Sequence, residues 1–525
     1  LNQSALAENG QLLERQDCDA EDFRWDDFIE EADQSWVTPP VLQANDGTSD
    51  FTVNLTATVV EKTVDTLFKK CPLYSYRFDC GDNCTKITDE RWNDNIPVGP
   101  TIKVKPGDTL RVNLTNELMD KTNLHTHGLH ISPKENSDNV LLEINNSQTQ
   151  GYEYVIDDNH YPGTFWYHPH VHGTTATQVE DGMAGALIVE DPTDPNWVNE
   201  GEDPIEDRIF VFQQIPMFKD YNSAPNAPQM EQKDFEVTIN GVLNPKITMD
   251  LGELERWRFI HAGEDESIAL DFNSLISDDS SSSYEFRLIA LDGITLEYPR
   301  DIRALPDKVL ELYPGYRADV IVKAPRTQSQ LQGKSSLTNN RQKVVRLFDK
   351  AKPYNPSLRG QDYVGPLEDL VTLELTEDDS DDYDRALPDN DVVLRDPTEE
   401  GLLHDINIAP NEMSNARLVE FNIGESGFTI NKKQYPDDQD QGKKFCLEKD
   451  KSEFWKLASR ASAHPFHIHV NAFQVVNPGD SGTEIGDWHD TIIVKETEYD
   501  ANDEPLNPVI IKTRYDDFDG PFVLH

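Results

Sequence analysis

The sequence predicts an all-β protein built from more than one copy of the same fold. Helical periodicity is scarce, and short runs rich in Val, Ile, Thr and Phe alternate with Gly, Pro and Asp. Residues 101–116, 286–296 and 317–325 each have the pattern of a strand, a turn and a strand. A weak internal repeat and a length of 525 residues indicate roughly two to four tandem domains.

The repeat consists of an acidic turn followed by a strand with alternating large apolar residues. Its copies begin at Gly107, Gly252 and Lys451. The first and third copies run directly into paired histidines, whereas the second runs into Ile260-His261-Ala262-Gly263. Copies so far apart favour tandem domains over a solenoid. We therefore expect two metal-bearing domains with a structural domain between them.

The charge of the chain is strongly acidic. It has 97 acidic and 47 basic residues, a formal net charge of -50. Such a surface disfavours nucleic acid and anionic membranes as partners. It would attract a cationic substrate, although solubility in salty or extracellular water explains the same charge. No stretch approaches the roughly 18 to 20 apolar residues of a membrane span, and the N-terminus has no signal-peptide pattern as written.

Three of the five cysteines, Cys71, Cys80 and Cys84, lie close together. One local disulfide plus free thiols is the simplest expectation, because the spacing is not the paired CxxC of a zinc site. We expect a secreted or extracellular protein, periplasmic if bacterial, and a glycoprotein if the source organism glycosylates. The N-X-Ser/Thr sequons begin at Asn2, Asn54, Asn83, Asn113 and Asn145.

The histidines are paired far more often than chance allows. Fourteen histidines are present, and at that frequency about 0.4 His-X-His pairs are expected when matches are counted. Side chains two residues apart in a strand project from one face, so each pair aims two imidazoles at one place. Neutral imidazole binds copper, zinc, iron and nickel. The alternative is a set of hydrogen-bonded core histidines. The pairs are His125/His127, His168/His170, His170/His172 and His467/His469.

The residues around these pairs resemble the multicopper oxidases, a family that includes laccases, ferroxidases and bilirubin oxidases. The resemblance covers about residues 97 to 525, and both the spacing and the neighbouring residues match. The motifs are HTHG at 125–128, GTFWYHPHVHG at 163–173, DGMAGALIVEDP at 181–192, LIALDG at 288–293 and HPFHIHVNAFQVV at 464–476.

The resemblance implies three tandem cupredoxin-like Greek-key β-sandwich or barrel domains. It also implies a mononuclear type 1 copper, and a trinuclear cluster of type 2 and type 3 coppers between the first and last domains. Changes in composition and the internal repeat place the divisions of the chain: an acidic extension over 1–50, domains over 51–195, 205–378 and 401–525, and an acidic linker over 379–400.

Ligand roles are carried over motif by motif. Asp138 matches an acidic residue that helps to deliver protons, although a solvated turn aspartate is an equal alternative. Histidines without a matching partner are expected to be surface or structural, and Trp488-His489-Asp490 resembles a segment near the electron-entry side. The implied ligands are His125 and His467 for type 2 copper, His127, His168, His170, His469 and His525 for type 3 copper, and His464 for type 1 copper.

The chain departs from the family at its C-terminus. The sequence GPFVLH at 520–525 matches the start of a final His-Cys-His motif, whose remainder supplies most type 1 ligands. Cys446 matches no ligand motif, and a type 1 site needs a thiolate. We expect a fragment of a complete oxidase rather than a naturally shortened chain, because a natural end should close its domain first.

The resemblance implies an oxidase that couples one-electron oxidation of a donor to reduction of dioxygen to water. The donor is a phenol, another organic molecule or a metal ion, and the sequence does not distinguish between them. Two alternatives remain open. One is a truncated copper-binding protein without turnover, and the other is an extracellular structural protein with a degenerate site.

Overall fold

The prediction of an all-β protein is confirmed. Strands form nearly all the regular structure, and α1 (Thr175–Glu180) is the single α-helix among the described residues. No helix among them is long and apolar enough to cross a bilayer. The computed structural model describes residues 4–6, 12–14, 35–61, 72–190 except 93 and 95, 205–217, 234–276 except 265, 283–326, 344–349, 368–379, 385–396, 402, 403, 406, 410–424, 427–433, and 447–525 except 522.

The first group of strands forms a β-sandwich. A four-stranded sheet has the order β10-β8-β4-β5, and a six-stranded sheet has the order β6-β3-β7-β12-β11-β9. Alternate apolar residues of both sheets, among them Phe51, Leu110 and Phe165, meet in one core. After the short pair β1 (Ser4–Leu6) and β2 (Leu12–Glu14), the strands are β3 (Val41–Ala44), β4 (Asp50–Glu61), β5 (Pro72–Cys80), β6 (Cys84–Ile87), β7 (Thr101–Val104), β8 (Thr109–Asn116), β9 (His125–His127), β10 (Gln148–Val155), β11 (Gly163–His168) and β12 (Gly185–Val189).

The second group forms another two-sheet unit around Phe210, Trp257 and Phe286. Its strands are β13 (Glu206–Met217), β14 (Asp234–Ile239), β15 (Val242–Leu243), β16 (Lys246–Leu251), β17 (Leu254–His261), β18 (Ile268–Asp271), β19 (Glu285–Leu291), β20 (Ile294–Asp301), β21 (Val309–Leu312), β22 (Arg317–Lys323), β23 (Val344–Asp349) and β24 (Glu368–Asp379). The sheets have the orders β15-β14-β13-β17-β22-β19-β20 and β16-β24-β23-β18-β21.

The third group packs around Trp455, Phe466 and Ile511. Its strands are β25 (Arg417–Gly424), β26 (Gly427–Ile430), β27 (Ser452–Ser459), β28 (His464–His467), β29 (Phe473–Asn477), β30 (Trp488–His489), β31 (Thr491–Val494) and β32 (Val509–Arg514). One sheet has the order β26-β25-β27-β32-β29-β30, and β28 pairs with β31. Short 3-10 turns lie at Phe272–Ser274, Ile302–Ala304, Pro306–Lys308 and Pro410–Asn415.

The sequence repeat corresponds to strands in the same structural position. Strands β8, β17 and β27 each begin at the predicted acidic turn. Each pairs in parallel with an earlier strand of its own group, namely β4, β13 and β25. The strand–turn–strand expectation also holds for residues 101–116 and 286–296, but it is wrong for 317–325, where β22 is one uninterrupted strand.

The end of the predicted acidic extension belongs to the folded body. Strand β3 pairs with β6 and β7, and Trp36 packs on Phe210 with ring centroids 4.8 Å apart. The first β-sandwich therefore begins before residue 51. Cys80 and Cys84 form a disulfide with Cα atoms 5.3 Å apart, whereas Cys18, Cys71 and Cys446 lie outside the described residues. The other predicted domain boundaries stay predictions.

Candidate metal centre

The three groups of strands are the first, middle and third domains. Two strands of the first domain bring their histidines together. Strand β9 lies at the edge of its sheet and pairs antiparallel with β11, so His168 faces His125 directly across the ladder. His170 follows β11 in a loop that Asn123 holds, because the Asn123 Oδ1 atom accepts a hydrogen bond from the His170 backbone N–H at 2.6 Å. The register therefore gathers both predicted histidine motifs at one end of the sheet.

The third domain adds its histidines through β28 and the last residues of the chain. The backbone N–H of His467 donates to the carbonyl of His525 at 2.9 Å, and the reverse bond measures 3.1 Å. One step along, the N–H of His469 donates to the Val523 carbonyl at 3.1 Å. This ladder places the His525 ring beside the rings of His467 and His469, with centroids 5.5 and 5.6 Å away.

The two sets of histidines interleave across the interface between the first and third domains. His125 stacks on His469 with ring centroids 3.9 Å apart, and His127 stacks on His467 at 3.7 Å. The ring centroid of His170 lies 4.7 Å from that of His469 and 4.9 Å from that of His525. The structure therefore brings together seven of the eight predicted metal ligands. Their nitrogens lie within 4.8 Å of one another in the triads His125/His127/His168, His125/His467/His469 and His170/His469/His525.

His464, the predicted type 1 ligand, lies apart from this cluster. It belongs to none of the triads found among the described residues. Its ring stacks on Phe421 with centroids 4.6 Å apart and an interplanar angle of 6°. The Nδ1–H group donates to the Pro465 carbonyl at 2.6 Å. His464 therefore has a separate site, in which Nε2 is the nitrogen left for a ligand.

The hydrogen bonds of the cluster leave one nitrogen open on several rings. Nδ1 of His125 contacts Asp138, Nδ1 of His168 contacts the Pro169 carbonyl, and Nδ1 of His467 contacts the Asp490 carbonyl. The buried Nε2 atoms of these three rings, and that of His469, have no hydrogen-bond partner among the described residues. A buried polar atom without a partner costs about 1–3 kcal/mol. Metal ions bound in the overlapping triads would supply partners for these atoms.

The electrostatic setting keeps the rings neutral. Burial, followed by repulsion from neighbouring groups, lowers the pKa of five histidines well below the usual 6.5. Burial also lowers the pKa of His170 to about 3. A neutral imidazole keeps a lone pair on one nitrogen, and that lone pair binds metal. The five are His127, His168, His467, His469 and His525.

Asp138, the predicted proton-delivery residue, lies directly behind His125. Its carboxylate accepts from Nδ1 of His125 at 3.0 Å and from the backbone N–H of Thr126 at 2.9 Å. This contact fixes the proton of His125 on Nδ1 and leaves Nε2 for a metal. Asp138 is 2% exposed, so a purely solvated turn aspartate is wrong.

A second layer of contacts, whose roles the sequence did not indicate, lies on the side of His127. Thr491 and Asp490 lie beside His127 and His467, and Arg317 pairs with Asp490. Burial would raise the pKa of Asp490, but Arg317 more than reverses this and holds it below its usual value. The resemblance places Trp488-His489-Asp490 near the electron-entry side, yet Asp490 adjoins the cluster. The LDG motif at Asp292 and the Trp488-His489-Asp490 segment were the signals in the sequence for this layer.

Most of the unpaired histidines prove to be buried hydrogen-bonding residues. His130 contacts Asp517 and the Val470 carbonyl, and His489 contacts Asp292 at 2.7 Å. His160 and His261 also lie in the interior. A surface position is therefore wrong for these four, and the structural alternative holds. His172 is exposed, and His404 lies outside the described residues.

Comparisons with known proteins match this chain to multicopper oxidases. Two family models described as multicopper oxidase match residues 83–194 and 407–505. A multicopper oxidase of Staphylococcus haemolyticus is 29% identical over 273 residues, which are 51% of this chain and 55% of that protein. The chain thus spans about half the length of the relatives that it matches.

Solved structures extend the likeness to nearly the whole chain. A multicopper oxidase of Campylobacter jejuni, described as a metallo-oxidase, has a TM-score of 0.64 and 20% identity, and it covers 94% of this chain and 92% of its own. A multi-copper oxidase of Pediococcus acidilactici has a TM-score of 0.65 and 18% identity, covering 97% and 89%. At these identities the likeness establishes the fold, the cupredoxin-like arrangement that the sequence predicts.

Proposed function

Since the chain belongs to the multicopper oxidase family, we propose that it is a copper-dependent oxidase that couples one-electron oxidation of a donor to reduction of dioxygen. Four donors would each lose one electron, and one dioxygen would take up those electrons and four protons to give two waters. The observation that carries the proposal is the convergence of seven mostly buried histidines from two domains.

Copper fits this set of donors. Imidazole nitrogens suit copper, and seven of them in overlapping triads exceed what one tetrahedral ion requires. The Nε2 atoms of His125, His168 and His467 are unpaired while their Nδ1 atoms are hydrogen-bonded, and Nε2 of His469 is unpaired as well among the described residues. We propose that these four rings, with His127, His170 and His525, hold the type 2 and type 3 coppers.

The chemistry that copper supplies when bound is one-electron exchange with the donor and delivery of four electrons to dioxygen. The surrounding residues hold the ligands in place and manage protons. Asp138 keeps the His125 proton on Nδ1, and its carboxylate is the base that the sequence predicts for proton delivery. Burial of the rings of His125, His127, His168, His467 and His469 keeps bulk water from competing for their ligand nitrogens.

Electron entry is proposed to occur near His464. Its ring, stacked on Phe421, offers Nε2 to a separate copper. A type 1 copper also needs a thiolate, and the cysteines among the described residues, Cys80 and Cys84, are joined to each other in the first domain. We therefore propose that full turnover requires a thiolate contributed from outside the described residues.

We also propose a location outside the cytosol. The Cys80–Cys84 disulfide is typical of oxidising compartments. Three sequon asparagines, Asn83, Asn113 and Asn145, are exposed, as glycan acceptors must be.

Oxygen uptake tests the proposed activity. Copper-loaded protein, both this chain and a version extended past His525, is mixed with a phenol or with ferrous iron in an oxygen electrode. The proposal predicts uptake of one dioxygen per four donors oxidised by the extended version. If both versions bind copper but neither takes up dioxygen, the result supports the alternative of a copper-binding protein without turnover. No copper binding at all supports a degenerate structural site.

A further inference from the structure

The middle domain supplies no histidine to the cluster, yet it reaches the cluster through Arg317. This guanidinium is completely buried at the start of β22. It donates to the carbonyls of Asp292 and Gly315, both at 2.8 Å, which anchors it to its own domain. Its Nε–H group donates to the Thr164 carbonyl of the first domain at 3.3 Å. The remaining N–H groups, on Nη1 and Nη2, donate to the carboxylate of Asp490 in the third domain, where the Nη1–Oδ1 distance is 2.8 Å.

Asp490, which Arg317 holds in place, in turn holds the side chain of Thr491. The Thr491 hydroxyl donates to Oδ1 of Asp490 at 2.7 Å. The same hydroxyl oxygen lies 3.0 Å from Nε2 of His127 and 3.2 Å from Nδ1 of His467. An unbroken series of polar contacts therefore runs from the middle domain to rings of the first and third domains.

The number of protons available along this series determines which ring nitrogen of His127 is protonated. A hydroxyl has a single proton, and that of Thr491 is committed to Asp490. The contact between Thr491 and His127 is therefore a hydrogen bond only if Nε2 of His127 donates. The Asp490 carboxylate, 3.4 Å from the same nitrogen, favours a proton there as well. A neutral ring with its proton on Nε2 has its lone pair on Nδ1.

The packing around these contacts leaves little freedom for another arrangement. A Cβ atom at Gly128, the residue after His127, would lie 2.4 Å from Oδ2 of Asp490 and 2.5 Å from Nη2 of Arg317. A Cβ atom at Gly315 would lie 3.1 Å from Cε1 of His127. The two glycines thus let the ion pair and the imidazole approach the backbone closely.

We propose that Arg317, Asp490 and Thr491 act as positioning residues through which the middle domain holds His127 with its proton on Nε2 and Nδ1 free for copper. The statement about copper rests on the proposed function, whereas the statement about the proton does not. The middle domain is then more than a spacer, because it sets the orientation of a ligand that it does not itself provide.

The proton is tested in copper-free protein by nitrogen-15 magnetic resonance of labelled histidine rings, with His127 assigned from a His127→Gln variant. The expected result is a slowly exchanging Nε2–H proton on His127. Thr491→Val keeps the side-chain shape and removes the acceptor, so this proton should exchange at least tenfold faster. Thr491→Ser should restore slow exchange. Equal exchange in the wild type and Thr491→Val would overturn the proposal.

Copper affinity is measured on the same variants by competition with a chelator. Contacts behind a metal ligand are worth about 10–100-fold in affinity, and Thr491→Val should lose that much while Thr491→Ser retains affinity. Thr238→Val is the matched control, because its buried hydroxyl has no partner among the described residues. Equal affinity in Thr491→Val and Thr238→Val contradicts the proposal. A wild type that binds no copper refutes the proposed function, and the proton measurement still decides the positioning role.

Discussion

The imidazole of His127 lies face to face with that of His467, with ring centroids 3.7 Å apart and an interplanar angle of 14°. The two residues are 340 positions apart in a chain of 525 and come from the first and third domains. His125 and His469 repeat the arrangement at 3.9 Å and 14°. The candidate metal centre is therefore an interface between domains, and metal binding should be coupled to their association.

Copper should consequently stabilise the fold. A ligand that binds the native state at 100 times its Kd adds about 2.7 kcal/mol to the free energy of unfolding. His469→Gln removes a ring that contacts histidines of both domains, so most of that gain should disappear. Thermal unfolding with and without copper measures it. His172→Gln, at an exposed position, is the control and should keep the full gain; an equal loss in both variants would contradict the coupling.

Alanine substitutions at two glycines that follow histidine motifs should distinguish the energetic cost of backbone strain from the cost of steric overlap. Gly128 has φ +90° and Gly173 has φ +87°, so alanine is strained at both positions. A Cβ atom at Gly173 would have no other atom within 4 Å, and Gly173→Ala should cost about 1–2 kcal/mol. Gly128→Ala also displaces the buried Arg317–Asp490 pair and should cost more than about 3 kcal/mol. Urea unfolding measures both, and equal costs would refute the overlap.

The middle domain should make stability depend on pH through Glu253. Burial, followed by repulsion from Glu255, raises the pKa of Glu253 from 4.5 to about 7. Between these values the folded state binds more protons than the unfolded state, so stability should fall as pH rises from about 4.5 to about 7. Glu253→Gln should flatten this part of the curve of unfolding free energy against pH. Glu498→Gln, at an exposed carboxylate, should leave the curve unchanged, and an unchanged curve for Glu253→Gln would be evidence against the assignment.

The sequence was informative wherever a local pattern determines the structure. The His-X-His spacing fixes two side chains on one face of a strand, and the acidic turns before β8, β17 and β27 mark equivalent strands. These patterns allow the all-β class and the convergent histidines to be predicted. The resemblance supplied the place of His525, which pairs with His467 through the backbone.

Such local patterns do not predict polar contacts between residues far apart in the sequence. Arg317 and Asp490 are separated by 173 positions, and neither is marked by a repeat or a spacing rule. Burial of a charge pair depends on how the domains pack, which no short motif encodes. The same reason explains why His130 and His489 were expected at the surface or in structural roles without a distinction between them. Strand β3 was missed because its four residues are too few for a clear alternation.

The candidate metal centre is tested most directly by the number of copper ions that the purified chain retains after removal of free copper. We predict roughly three copper ions per chain, one at the proposed type 2 site and two at the proposed type 3 sites, held by the overlapping histidine triads. The double variant His125→Gln/His467→Gln, which removes one ring from each domain, should retain far fewer, while His172→Gln should match the wild type. Equal copper content in the wild type and the double variant would show that the converging histidines do not bind the copper.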